Sequence, residues 1–496
     1  MKRLILPTAA LALALPLAAH AQVLQVATDQ SPVGLDPHVA TSFATILIDS
    51  NIFEGLTAID ADLRTVPALA QSWTVSPDGL SYSFTLRGNA TFHNGKKVTP
   101  ADVIASIERV RDPKTGSPYA SRFAMIAKLE AAGENGVAIT LNAPSAPLLT
   151  QLASLAIVPE GSGADLQRKP VGTGPFTFKE WIPDTAIVLE KNAHYWESGL
   201  PKLDGLRVNI VPEAATRQIG MLSGTYQVLP SIDAATATTL DGKPQAKLLA
   251  TQDLAYSLIG FNTSKPPFDK KEVREAFNYA IDRAQLVQAA YFGRGAAGGP
   301  FSPALKQWAL PTSDFACFKP DAAKSRALLL QAGITTPVKV TLNVLGSLQQ
   351  VVDVAQVVQA QANKAGFEVT LAVQEQGKFI QDWRNSNFEA FASLNSGSPE
   401  PDDYLGRAFQ TGGATNVYKY SNPALDDLLI KSRASTGGTA ERKPLYDQAQ
   451  RLITCDGPAA FLAYGTLFTA ISPKVQGFDM MPTRSLWTLR AASLSR

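Results

Sequence analysis

The chain has 496 residues, 45% of them hydrophobic, with 35 glycines, 33 prolines and a formal net charge of +2. Lys2 and Arg3 account for that excess, so the remainder is electrically neutral and offers no field for nucleic acid or another anionic polymer. A length near 475 residues after an N-terminal leader is too great for one hydrophobic core, which predicts two or three domains.

The leader itself is read from Lys2 and Arg3, an apolar run from Leu4 to Leu17 and the small-residue pattern Ala19-His20-Ala21. Cleavage is expected after Ala21, giving a secreted, periplasmic protein. The run is interrupted by Pro7 and Pro16 and is shorter than a bilayer core requires. No Cys follows the cleavage site to carry a lipid, and no later segment has the length of a membrane span.

Early in the mature chain, Trp73 and Val75 precede the turn Pro77-Asp78-Gly79. Tyr82, Phe84 and Leu86 then alternate with polar residues, and Asn94-Gly95 marks a second tight turn. This pattern predicts antiparallel strands with one face buried. Thr99-Pro100-Ala101-Asp102 follows as a helix start, with Val103, Ile107 and Val110 at helical spacing. An amphipathic helix is predicted over 269–283, its start at Asp269 and Glu272 resembling a capping box. Beyond it, Val338 to Val344 alternate as a strand, 351–365 reads as a helix ended by Gly366, and Phe367 to Val373 alternate again. Such a βαβ unit implies a parallel strand pair. Texture thus changes from antiparallel β to α/β near residues 255–262.

Catalytic chemistry has little to build from. His38, His93 and His194 are isolated, and neither HExxH nor GxSxG occurs, which leaves no basis for a zinc site or a serine triad. Gly293 to Gly298 matches GxGxxG, but it follows a helical stretch and runs into Gly299-Pro300, the wrong context for a dinucleotide. It reads better as a flexible or close-packed loop. Glu400, Asp402 and Asp403 could be paired catalytic acids, ligand contacts or the acidic start of a helix near Asp402; Pro399 and Pro401 favour the helix start. Cys317 and Cys455 could join in one disulfide or stay as two buried thiols.

Leu35-Asp36-Pro37, Glu54-Gly55-Leu56, Phe92-His93-Asn94-Gly95-Lys96, Val171-Gly172-Thr173-Gly174-Pro175-Phe176, Phe261-Asn262-Thr263 and the run from Val273 to Arg283 occur in an order and spacing that resembles the extracellular family 5 solute-binding proteins. These are the peptide, nickel and opine receptors of ABC importers. The resemblance implies an α/β, two-lobed periplasmic binding protein-like fold with a hinge between lobes. The first lobe would comprise residues 22–257 and 470–496, with an inserted β-rich subdomain at about 52–165, and the second residues 258–469. Crossings are expected near Leu258 to Asn262 and Phe468 to Ser472.

By the same resemblance, a small ligand, peptide-like or another polar organic solute, would be held by Thr41, Ser42, Phe43, Tyr119 and Tyr256 with Leu394, Asn395, Ser396, Gly397, Ser398, Asp402 and Tyr404. The protein would hand it to membrane permease subunits as a monomer, with no cofactor, no metal and no catalytic residue. Gly397 stands where many peptide receptors carry the Asp that pairs with the ligand's amino group, so Asp402 or Glu400 would have to replace it. Three scattered histidines after the leader leave no protein-built nickel site. The competing readings are a periplasmic hydrolase using the 400–403 acids and a chaperone-like binder.

Overall fold

The computed structural model describes residues 22–40, 42–335, 337–455 and 457–495. The leader through Ala21 and the candidate contact Thr41 lie outside the described residues.

One eleven-stranded mixed sheet runs through the molecule. At one end Val338–Leu345 pairs in parallel with Phe367–Gln374 on one side and Ala390–Asn395 on the other. Helix Gln349–Ala362 makes the crossover, and Gly366 ends it in the left-handed region at φ 106°, as the βαβ pattern predicts. At the other end Val23–Thr28 pairs in parallel with Gly205–Ile210, which continues antiparallel to Ala186–Lys191 and Phe176–Ile182.

Between these ends stand two long antiparallel strands, Lys247–Phe261 and Ala459–Ile471, paired from Lys247↔Ile471 to Gly260↔Ala459. Their neighbours change along their length. Ile471 to Phe468 pair with Val228–Ile232, whereas Tyr256 to Phe261 pair with Ala390–Asn395. The cores change with them. Ile471 packs with Leu24, Val26 and Val208, while Ile259 and Phe261 pack with Phe277, Val340 and Val358. The register breaks between Gln252 and Tyr256, where the strand passes from one core to the other. Leu489 and Ala492 return the C-terminal tail to the core that holds Leu24.

The β-rich part is a separate four-stranded antiparallel sheet of Ala70–Val75, Ser81–Leu86, Gly136–Leu141 and Ile126–Ala131, in that order. Tyr82, Phe84 and Leu86 are buried and Ser81, Ser83 and Thr85 exposed, the alternation expected of a half-buried strand. Helix Pro100–Arg111 covers the buried face through Val103, Ile107 and Val110. The Thr99 backbone N–H donates to Asp102 Oδ2 at 2.8 Å, closing the start that the sequence marks.

One predicted helix is corrected. Residues 269–283 form not one helix but Lys271–Tyr279, then a break, then Arg283–Ala290, and the predicted start at Asp269 and Glu272 makes no side-chain cap. Asp282 instead caps the second helix by accepting from the Gln285 N–H at 2.9 Å. Arg283 explains the break. It is fully buried, its Nε donates to the Phe461 carbonyl at 2.7 Å and its Nη2 to Asn278 Oδ1 at 2.8 Å. Those tertiary partners draw the chain inward and override the local helical pattern. Cys317 and Cys455 are disulfide-bonded, tying a short helical turn to the end of helix Thr439–Thr454.

Candidate functional site

A cavity of about 370 Å³ opens between the two ends of the large sheet. Helix Phe43–Asp49 forms one wall. Ser42 Oγ caps it by accepting from the Thr45 N–H at 3.2 Å, and helical spacing turns Ile46, Asp49 and Ser50 to the cavity. Gly397 to Pro399 form the opposing wall, with Leu254, at the register break of a crossing strand, between the two. Met481, Thr483 and Trp487 of the returning tail close the side. A larger concavity of about 760 Å³ beside Glu108, Pro113 and Gly161 is lined only by residues 105–162 and meets neither the crossing strands nor the second core.

Two acids line the cleft cavity, in opposite states. Glu54 is buried, and its carboxylate accepts from Tyr195 Oη at 2.6 Å, Trp196 Nε1 at 2.8 Å and Thr173 Oγ1 at 3.0 Å. Burial pushes its pKa up to about 7 against the pull of those donors. Its role is to knit the wall together. Asp49 is 7% exposed, and neither of its oxygens has a hydrogen-bond partner among the described residues. Burial holds its pKa well above the usual carboxylate range, with a further push from the charge of Asp36. Asp36 itself is paired with Arg109 at 2.6 Å.

Beside Asp49 the Tyr119 ring lines the cavity, its hydroxyl donating to the Ala40 carbonyl. The Arg122 guanidinium sits 5.1 Å from that ring's centre and makes no ion pair among the described residues. A second cavity of about 260 Å³ lies on the far side of the loop 393–399, walled by Tyr256, Trp383, Leu394, Tyr404, Arg407 and Tyr418. Asn395 Nδ2 lies 3.3 Å from Tyr256 Oη and 3.4 Å from Tyr418 Oη.

Gly397 has no room for a side chain. A Cβ there would lie 2.0 Å from the Leu254 carbonyl oxygen and 2.3 Å from Tyr404 Oη, which itself donates to that carbonyl at 2.9 Å. Two of the three acidic residues after it are committed elsewhere, and Asp403 lines the second cavity. Glu400 is buried against Arg442, which also reaches Tyr446 Oη at 2.9 Å, and Asp402 receives Arg433 Nε at 2.8 and 2.9 Å. Asp402 does begin a helix, Asp402–Phe409, and its N–H donates to Glu400 Oε1 at 3.2 Å. Carboxylates neutralised by arginines in this way are not free to act as acid and base on a substrate.

Comparison with known proteins settles the class. The family described as bacterial extracellular solute-binding proteins, family 5 (middle), matches residues 64–416. The chain belongs to this family. Its relatives include the glutathione-binding protein GsiB of Pectobacterium atrosepticum, 30% identical over 489 residues that cover 95% of this chain and 94% of that protein. Among solved structures it resembles HbpA2 of Haemophilus parasuis, at 25% identity and TM-score 0.85, covering 96% of this chain and 100% of that one. It also resembles DppA of Helicobacter pylori in complex with the peptide STSA, at 28% identity and TM-score 0.75, covering 96% and 98%. This family 5 protein is therefore a two-lobed substrate-binding component of an ABC importer, and not an enzyme. Among the described residues no helix is long and apolar enough to cross a membrane.

The residues expected to hold ligand in this family 5 protein divide into three groups. Tyr119, Gly397 and Ser398 line the cleft cavity. Tyr256, Leu394, Asn395, Ser396 and Tyr404 line the second one. Ser42, Phe43 and Asp402 line neither: Ser42 caps its helix, Phe43 is 61% exposed with Arg484 over its ring at 4.7 Å, and Asp402 is bound to Arg433. Asp402 and Glu400 thus do not take the place of an acid at Gly397, because each already has its cation. Sequence reasoning missed Asp49, Arg122 and the Met481–Trp487 segment. The available signal for Asp49 was an acid ending the apolar run Ile46-Leu47-Ile48. The glycine-rich 293–298 segment is a short strand, Gly295–Ala297, on the crossing strand Ala459–Ile471, with Gly298 packed on the Tyr464 ring.

Proposed function

We propose that the 370 Å³ cavity is the ligand site and that its solute is peptide-like, a free peptide or a small peptide conjugate. The observation that carries this reading is the cavity's two-sided construction: helix Phe43–Asp49 and Glu54 on one wall, Gly397–Ser398 on the other, with Leu254 of a crossing strand between them. A solute that touches both walls stabilises the closed arrangement by its differential affinity for it. Glutathione binding by GsiB and the peptide bound to DppA support the solute class.

The lobes in this reading are residues 22–257 with 470–496, carrying the β-rich insertion at about 52–165, and residues 258–469. The exchange of core partners along the crossing strands supports hinges a few residues before those limits, at 252–255 and 465–467. The mature protein, released by cleavage after Ala21, works in the periplasm as a monomer and docks on its permease when closed. Native mass spectrometry of the gently purified mature protein tests the reading. It predicts one protein chain carrying one co-purified solute with peptide-like fragments; a solute without amide bonds, at the same stoichiometry, would refute the ligand class.

A further inference from the structure

We infer that Asp49 is the anchor for a protonated amino group of the bound solute, replacing from the first lobe the carboxylate that Gly397 cannot supply. This rests on the cleft being the ligand site. The argument begins with what Asp49 lacks. Among the described residues it is the only carboxylate with both oxygens buried and unpartnered. It stands as the last residue of helix Phe43–Asp49, the end at which the backbone dipole disfavours an anion. The nearby acid Asp36 adds repulsion, and Asp36 is itself satisfied by Arg109.

No structural task accounts for such a residue. Glu54, five residues on, shows what a wall-building acid looks like here, with three donors converging on it. A buried acid without a partner is held toward its neutral form, and a cation that reaches it restores the carboxylate by displacing that proton to solvent. Asp49 lines the cavity while both of its oxygens are covered, so a side-chain rotation brings them to a completing group that enters from the cavity. Arg122, the cation on the same wall, does not fill the role, because it forms no ion pair with Asp49 and lies over the Tyr119 ring instead. A primary ammonium offers three donors to two empty oxygens, and the buried setting makes that charge-assisted contact strong.

The opposing wall explains why the acid sits here. Any side chain at Gly397 would drive into the Leu254 carbonyl and the Tyr404 hydroxyl. At position 397 the second-lobe loop therefore approaches with backbone alone, flanked by the uncharged Ser398 and Pro399, and charge recognition passes to the helix facing it.

The experiment compares the full mature wild type with Asp49→Asn by calorimetry, against reduced glutathione and a set of tri- and tetrapeptides, each also in its N-acetylated form. Wild type should bind the best free-amine member at least 50-fold more tightly than its N-acetyl counterpart. Asp49→Asn should lose most of that preference while binding the N-acetyl form within threefold of wild type. Equal binding of the two forms by wild type, or undiminished amine preference in Asp49→Asn, overturns the inference. Melting of the ligand-free proteins gives a second reading: Asp49→Asn should melt at or above the wild-type temperature, and a fall of more than about 5 °C would mark Asp49 as a structural residue and overturn it. If wild type binds nothing in the set, the peptide-like reading fails, and Asp49 is then decided by the ligand-free comparison.

Discussion

Replacing Gly397 with Ala adds one methyl group inside the wall where the 397 loop packs on a crossing strand. That Cβ would stand 2.0 Å from the Leu254 carbonyl oxygen and 2.3 Å from Tyr404 Oη, far inside van der Waals contact. Leu254 is 5% exposed and lies at the register break of a crossing strand, and Tyr404 is packed at 5.8 Å from the Tyr256 ring, so neither can withdraw freely. Overpacking of this kind costs about 1–3 kcal/mol. Parting the Tyr404–Leu254 hydrogen bond leaves a buried hydroxyl and carbonyl unsatisfied, for roughly another 1–3 kcal/mol. A total of about 2–6 kcal/mol should appear in urea denaturation as a lower midpoint with unchanged slope. Ligand affinity should fall as well, because the strained residues belong to the wall that closes on the solute. Stability within about 0.5 kcal/mol of wild type would refute the packing argument, and with it the claim that Gly397 is required by close approach.

Other perturbations test other parts of the account. Arg442→Met should destabilise by about 3–5 kcal/mol by stranding the buried Glu400, and adding Glu400→Gln should recover most of that loss in the same denaturation assay. Full loss persisting in the double variant would mean that the pair contributes something beyond mutual neutralisation. Glu54 has a folded-state pKa raised from 4.5 to about 7, so the native state holds its proton more tightly than the unfolded chain. Its contribution is therefore full below pH 4.5 and is lost as pH rises to about 7, a change of roughly 3 kcal/mol. The difference in stability between wild type and Glu54→Gln should follow that curve, and a flat difference from pH 4 to 8 would contradict it. Reducing the Cys317–Cys455 bond, which spans a sequence separation of 138, should lower stability by about 3–5 kcal/mol without abolishing binding, since neither residue lines the cleft cavity.

What the sequence discloses is what local chemistry decides. The turn at Pro77-Asp78-Gly79, the Thr99–Asp102 helix start and the βαβ unit ending at Gly366 each follow from neighbouring residues, and each is present. The helix predicted over 269–283 fails because Arg283 is claimed by Phe461 and Asn278, partners that no window of sequence displays. The cleft divides in the same way. Family motifs lead to Tyr119 and the 394–398 loop, because those segments keep their place in the chain order. Asp49 is hidden, since an acid at the end of an apolar helix reads as a solvent-facing residue until the fold buries it without a partner. Asp402 misleads in the opposite sense: it lies near the loop in sequence, and Arg433, thirty-one residues away, has already neutralised it.

The central claim is capture of a solute between two lobes that close on it. Small-angle scattering of the mature protein, stripped of ligand and then saturated with the solute identified by native mass spectrometry, tests it most directly. The account predicts a fall in the radius of gyration on saturation, reversed when the solute is removed. Tight binding with superimposable scattering curves in the two states would contradict it.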